Sequence, residues 1–151
     1  MNWQDYKIAF EWDGSWRDIY VLDTNINDWQ RLLDFLRESS YVTIYHGLIG
    51  PELPETMQEI IEIQKTSIST MSINIGETIV NCHFFLESEI EFDIDPRDID
   101  NEAKLTEIFN FMQRIGNLLR KEVILTEENG EDEIWFRFVP GSESVQFIPS
   151  K

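Results

Sequence analysis

Basic residues are scarce in this chain: 12 lysines and arginines stand against 29 aspartates and glutamates, a net charge of −17. Such a surface repels nucleic acid and anionic membrane and favours basic protein partners. The plainer reading of the same charge is that it keeps a small protein in solution. Cysteine is nearly missing as well. The single Cys82 excludes an internal disulfide and fits a reducing compartment. No run approaches the ~18 apolar residues of a membrane span. The start, Met1-Asn2-Trp3-Gln4-Asp5, lacks the basic and apolar regions of a secretory signal. The expectation is a soluble, cytoplasmic protein that meets neither membrane nor nucleic acid. Also absent are a glycine-rich phosphate loop, Cys-x-x-Cys, His-Glu-x-x-His and Gly-x-Ser-x-Gly, so the common nucleotide, metal and serine-hydrolase signatures fall away. Neither a cofactor nor a metal is expected.

What the chain does contain is a large apolar share, 42% hydrophobic and 13% aromatic. A disordered chain lacks that content, so residues 1–151 are read as a single globular domain. Its clearest element is Glu87-Ser-Glu-Ile-Glu-Phe-Asp-Ile-Asp95. Glu89, Glu91, Asp93 and Asp95 alternate with Ile90, Phe92 and Ile94. That is a strand with one buried face and one row of carboxylates. Around it, residues 77–107 hold ten acids and two bases.

The remaining elements follow from periodicity. Lys7 to Trp12 alternates, with Ile8, Phe10 and Trp12 on one side, and Asp13-Gly14 signals a hairpin turn into a strand from Arg17 to Leu22. Asn27 to Gln30 has capping-box form, and Trp29, Leu32, Leu33 and Leu36 carry a first helix to about Arg37. Tyr41 to His46 reads as strand, with His46 a core histidine on the Val42/Ile44 face. Gly47 to Pro51 breaks the chain. Pro54 opens a second helix whose inner face is Met57, Ile60, Ile61 and Gln64. Met71, Ile73 and Ile75 form a strand, Gly76-Glu77 a two-residue turn, and Thr78 to Leu86 the strand before the acidic one. Leu105, Ile108, Phe109, Met112, Ile115 and Leu119 mark the longest helix, to about Lys121. Val123 to Thr126 is strand, 127–133 an exposed acidic turn, and two strands follow, with Phe136 opposite Phe147 and Phe138 opposite Val145.

The expectation is an α+β fold with a mainly antiparallel sheet, about nine strands and three helices, ordered ββαβ-α-βββ-α-βββ. Strand, acidic loop, helix and strand occur at Ile19–His46 and again at Glu89–Thr126, the pattern an internal duplication would leave. Cys82-His83-Phe84-Phe85, Glu89 to Pro96, Leu125-Thr-Glu-Glu-Asn-Gly130 and Arg17-Asp-Ile-Tyr-Val resemble a group of small uncharacterised bacterial proteins. The resemblance covers a minor part of the chain and implies no activity.

Register decides the candidate site. The two-residue turn at 76–77 pairs Ile73 with Val80 and Met71 with Cys82. A three-residue loop at 87–89 pairs Leu86 with Ile90, Phe84 with Phe92 and Cys82 with Ile94, whereas a two-residue loop sets Phe84 against Glu91. The outer face then reads Thr70–His83–Asp93 and Ser72–Asn81–Asp95, with Glu91 beside them. A carboxylate opposite an imidazole orients it and raises its pKa. Equally, such a pair can be structural. Asp93-x-Asp95 with Asp98 and Asp100 fails as a calcium loop, because Asp98 stands where glycine is needed and Lys104 where glutamate is. Cys82 and His83 are strand neighbours and point to opposite faces. Trp3, Trp12, Trp16 and Trp29 are read as core before they are read as a binding patch. Two functions stay open. One is a non-catalytic acidic domain docking on a basic partner, as immunity and antitoxin proteins do. The other is a small enzyme or ligand-binding domain using the His83–Asp93 face. The balance leans away from an enzyme.

Overall fold

Apolar residues at alternate positions place one side of every central strand against helices, and the result is a single antiparallel sheet on an α+β plan. The computed structural model describes residues 2–47 and 50–149. Within these the chain runs α1 (Trp3–Tyr6), a 3₁₀ turn (Lys7–Phe10), β1 (Arg17–Leu22), α2 (Ile26–Glu38), β2 (Val42–His46), α3 (Met57–Gln64), β3 (Thr70–Ile75), β4 (Thr78–Leu86) and β5 (Glu89–Ile94). A 3₁₀ turn (Pro96–Asp98), α4 (Glu102–Leu119), β6 (Val123–Glu127), β7 (Gly130–Phe138) and β8 (Gln146–Phe147) complete it. The eight strands lie in the order β2-β3-β4-β5-β1-β6-β7-β8. Ile19, Met71, Cys82, Phe92, Leu125 and Phe136 point from the sheet into one core, which Trp29, Leu32, Met57, Ile60, Phe111 and Ile115 fill from the helices.

The acidic strand lies as its alternation requires: Ile90, Phe92 and Ile94 are buried and Glu89, Glu91 and Asp93 are on the other side. The β3–β4 register also matches, with Ile73 opposite Val80 and Met71 opposite Cys82. Gly76 takes φ +61° in the intervening turn, a conformation glycine adopts without strain. Phe136 is opposite Phe147.

The expected strand at Lys7–Trp12 is instead helical from Trp3 to Phe10, which leaves eight strands rather than nine. Arg17 is the cause. Its buried guanidinium donates to the carbonyls of Ala9 (2.7 Å) and Glu11 (2.8 Å), fixing the helical segment against the sheet. Both flanks of β1 are meanwhile taken, by β5 and β6, so no hairpin partner is accommodated. The cap of α2 is Asn25 with Asp28, not Asn27 with Gln30. Helix α3 starts after Thr56, whose hydroxyl accepts the Glu59 amide, rather than at Pro54. In the expected break at 47–51, Leu48 and Ile49 lie outside the described residues.

Strand β2 is turned over relative to the expectation. Tyr45 is buried against Phe84 and donates to Ser69 Oγ (2.8 Å), so Val42, Ile44 and His46 face outward. The acidic 127–133 stretch is mostly strand, with a turn only at Glu128-Asn129.

The β4–β5 register matches neither expected alternative. The turn is the two-residue Glu87-Ser88, with Leu86 opposite Glu89. A bulge then sets Phe84 and Phe85 against Ile90, so that Cys82 opposes Phe92, His83 opposes Glu91 and Asn81 opposes Asp93. Side chains hold the irregular backbone: Gln64 donates to the Phe84 carbonyl (3.0 Å), Trp29 Nε1 to Leu86 (3.1 Å) and Thr24 Oγ1 to Glu87 (2.7 Å).

Phe92, fully buried and edge-on to Phe111 at 5.3 Å, is a measure of this core. Phe92→Ala is expected to lower stability by about 3–5 kcal/mol. Glu91→Gln, on the opposite side of the strand, is expected to change it little. Equal shifts of the two urea midpoints would show the faces to be reversed.

Candidate functional site

The outer face of the sheet gathers polar side chains because the register stacks them in rows. One row runs Ser72, Asn81, Asp93, Asp18 across β3, β4, β5 and β1, and the next runs Thr70, His83, Glu91, Tyr20. Asn81 and not His83 is therefore directly opposite Asp93. His83 reaches Asp93 on the diagonal, Nε2 to Oδ2 at 2.6 Å, while Asn81 Nδ2 donates to the other carboxylate oxygen at 3.0 Å. Ser72 Oγ donates to Asn81 Oδ1 (3.3 Å) and lies 3.0 Å from His46 Nε2. A polar chain thus crosses four strands from His46 to His83. Phe85 stacks flat on the His83 ring at 5.0 Å.

Of the residues expected at this site, His83, Asp93, Asn81 and Ser72 are joined by hydrogen bonds, and Glu91 lies opposite His83. Thr70 shares the His83 row. Asp95 does not join them. It lies past the end of β5, where it caps the 3₁₀ turn and holds Arg97 in a two-pronged ion pair. Residues the periodicity left out are Asp18, Tyr20, His46 and Glu131, while Glu89 stands in the expected carboxylate row but not in the expected site. Tyr20 donates to Asp18 Oδ2 (2.8 Å), and the same oxygen takes the Asn129 amide (2.7 Å) from the curled tip of the β6–β7 hairpin. Glu131, from that hairpin, lies close enough to Glu89 to act on its carboxyl.

Crowding and burial shift these groups in one direction. Burial raises the Asp18 carboxyl, against the pull of Asn129 and Tyr20. Burial and then the Asp18 charge raise Glu91. Burial and then the neighbouring Glu131 carboxyl push Glu89 up to about 7. The Asp93 hydrogen bond raises His83, which favours imidazolium. Burial holds the Cys82 thiol up, on the core side. Among the described residues no group of three or more histidines, cysteines and carboxylates is arranged to hold a metal ion, and no helix is long and apolar enough to cross a membrane.

Apolar side chains flank the polar rows, with Val42, Ile44 and Ile79 toward one end and Phe85 and Leu86 at the other. Val42, Ile44, Ile79, Phe85 and Leu86 keep 46–59% of their surface exposed. The tryptophans divide: Trp29 is core, Trp3 and Trp16 are half-buried, and Trp12 is exposed under Arg97 at 3.9 Å. Comparison with known proteins finds no matching family model, curated protein or solved structure.

A pH dependence follows. Asp18, Glu89, Glu91 and His83 all hold protons more tightly when folded, so the folded state binds more protons than the unfolded chain and stability falls as pH rises. For Glu89 the fall spans pH 4.5 to about 7. For His83 the contribution is complete below 6.5 and is lost through its higher folded value. Asp13 and Asp95, whose values are lowered, lose stability only on the acid side. The melting temperature is thus expected to be higher near pH 5 than near pH 8. Glu89→Gln should flatten the slope between pH 4.5 and 7. Parallel curves for wild type and Glu89→Gln would contradict the account.

Proposed function

We propose that this chain is a non-catalytic, acidic binding domain of the cytoplasm that docks on a basic protein partner through the outer face of its sheet. An immunity or antitoxin protein that blocks a basic target works in this way. The observation that carries the reading is the pairing of two features on one surface. Five apolar side chains, Val42, Ile44, Ile79, Phe85 and Leu86, stay about half exposed on the side of the sheet that carries Glu89, Glu91, Asp93 and Asp18, with Leu86 directly opposite Glu89. Exposed apolar side chains flanking a charged centre are what an interaction surface presents. The carboxylates crowd one another, and among the described residues His83 is the one cation that bonds to Asp93.

The second reading, a small enzyme or ligand-binding domain, has the 2.6 Å His83–Asp93 contact in its favour. The raised pKa of a carboxylate-oriented imidazole is one that general-base chemistry can use, but no hydrogen-bonded nucleophile accompanies His83 among the described residues. The described cavities of about 310 Å³ and 600 Å³ are lined by other residues.

Salt separates the two. Charge-steered docking weakens as ions screen it, with a Debye length of about 8 Å at physiological ionic strength. Partners drawn from a cell extract at low salt should be released at high salt. Phe85→Ala should speed dissociation, and Glu89→Lys should slow association and flatten its salt dependence. Capture of the same partners regardless of salt and substitution would refute the docking. A polar small molecule that raised the melting temperature of the isolated protein, and did so only with His83 intact, would favour the second reading.

A further inference from the structure

The two edges of the sheet are not alike. Strand β8 is two residues long, too short to template another strand. Strand β2, five residues, is regular over its whole pairing with β3 and carries no lysine, proline or bulge. Those are the devices by which sheets protect an edge. Among the described residues no backbone hydrogen bond reaches its free side. Val42 and Ile44 stand exposed on one side of that edge. On the other, the helix side, a cavity of about 600 Å³ opens beside Tyr45. Leu53 and Ile63 give it apolar walls, and Glu52, Glu55 and Glu59 line it with carboxylates. The segment carrying these acids is anchored: Arg37 donates to the carbonyls of Pro54 and Glu55, and Gln30 bonds Glu55 and Met57.

We propose that β2 receives an extended, lysine- or arginine-bearing segment of the partner protein by strand addition. The proposal rests on the basic-docking reading and names how the partner engages. Side chains of an added strand alternate between the two sides of the sheet. One set lies over Val42 and Ile44 and is apolar. The other enters the cavity, where an alkyl stem packs on Leu53 and Ile63 and the cation meets Glu52, Glu55 and Glu59. A second copy of this chain fits poorly: each carries −17, and its own β2, Val-Thr-Ile-Tyr-His, brings no lysine or arginine.

The probe is an eight-residue peptide of alternating valine and lysine, with two N-methylated forms, each blocking the amides of one edge at unchanged charge. The unmodified peptide should bind at low salt and slow hydrogen exchange within Val42–His46. One N-methylated form should bind at least tenfold more weakly and the other nearly as well as the parent, since an added strand uses one edge. Ile44→Lys, at an exposed position, should weaken the parent peptide at least tenfold with an unchanged melting temperature. So should Glu55→Lys with Glu59→Lys. Equal binding of both N-methylated forms, with β2 exchange unchanged, overturns strand addition while leaving basic docking intact. No binding of any form at low salt overturns both. Dimers of the free protein with β2 already protected from exchange would make the occupant a second copy and overturn the proposal.

Discussion

With Ile90, Phe92 and Ile94 committed to the core and Glu89, Glu91 and Asp93 to the opposite side, β5 leaves its neighbours only registers of matching parity. A slip of one residue on either side would bring a carboxylate under the helices, where an unpaired charge costs several kcal/mol. Strand β1 complies by placing Ile19 and Val21 inward and Asp18 and Tyr20 outward. Strand β4 complies by an irregularity. Its two-residue turn, continued without interruption, would set Phe84 opposite Glu91. The bulge absorbs one residue and returns Phe84 to the core. Carbonyls freed by that bulge and turn are bonded by Gln64, Trp29 and Thr24, so the correction leaves little unpaired backbone behind.

This explains what the sequence made legible and what it hid. Period-two alternation at Glu89–Ile94 and Met71–Ile75, and the helical stripe from Leu105 to Leu119, are local signals that survived into the structure unchanged. Parity of the β4 face was legible because apolar side chains declare it. Register was not, since a turn of one length with a bulge gives the same parity as a turn one residue longer. The His83–Asp93 contact survives because side chains reach diagonally as well as straight across. Lys7–Trp12 misled for a different reason. Alternation over so few residues fits a short helical turn too, and the deciding partner, Arg17, is remote in pattern though near in sequence.

Asp18 and Tyr20 belong to the site yet went unrecognised, and the reason is topological. Their strand alternates plainly, but only the sheet order brings it against the acidic strand, and that pairing skips across nearly half of the chain. Strand β2 shows the converse. Val42, Ile44 and His46 against Thr43 and Tyr45 offers two faces of similar hydrophobicity, and the tyrosine was buried because its hydroxyl finds Ser69 and its ring finds Phe84. Where both faces are apolar, packing partners decide, and those lie elsewhere in the sequence.

The consequence for function is a separation of roles between the two sides of one sheet. The inner side satisfies the ordinary demands of folding, with aromatic and aliphatic residues closing on each other around Phe92, Phe111 and Phe136. The outer side bonds part of its polar set, through Asn81, Asp93 and His83 and through Tyr20, Asp18 and the Asn129 amide, but it also gathers like charges whose pKa values are raised by their own crowding and burial, and it leaves apolar side chains in water. A sheet selected for stability alone would spread the acids among lysines and make Val42 and Ile44 polar. Both departures fall on the same side. Under the proposed docking, a basic, partly apolar surface laid on that side would screen the carboxylates and remove those side chains from water, so the costs borne by the isolated fold would become the driving force of association.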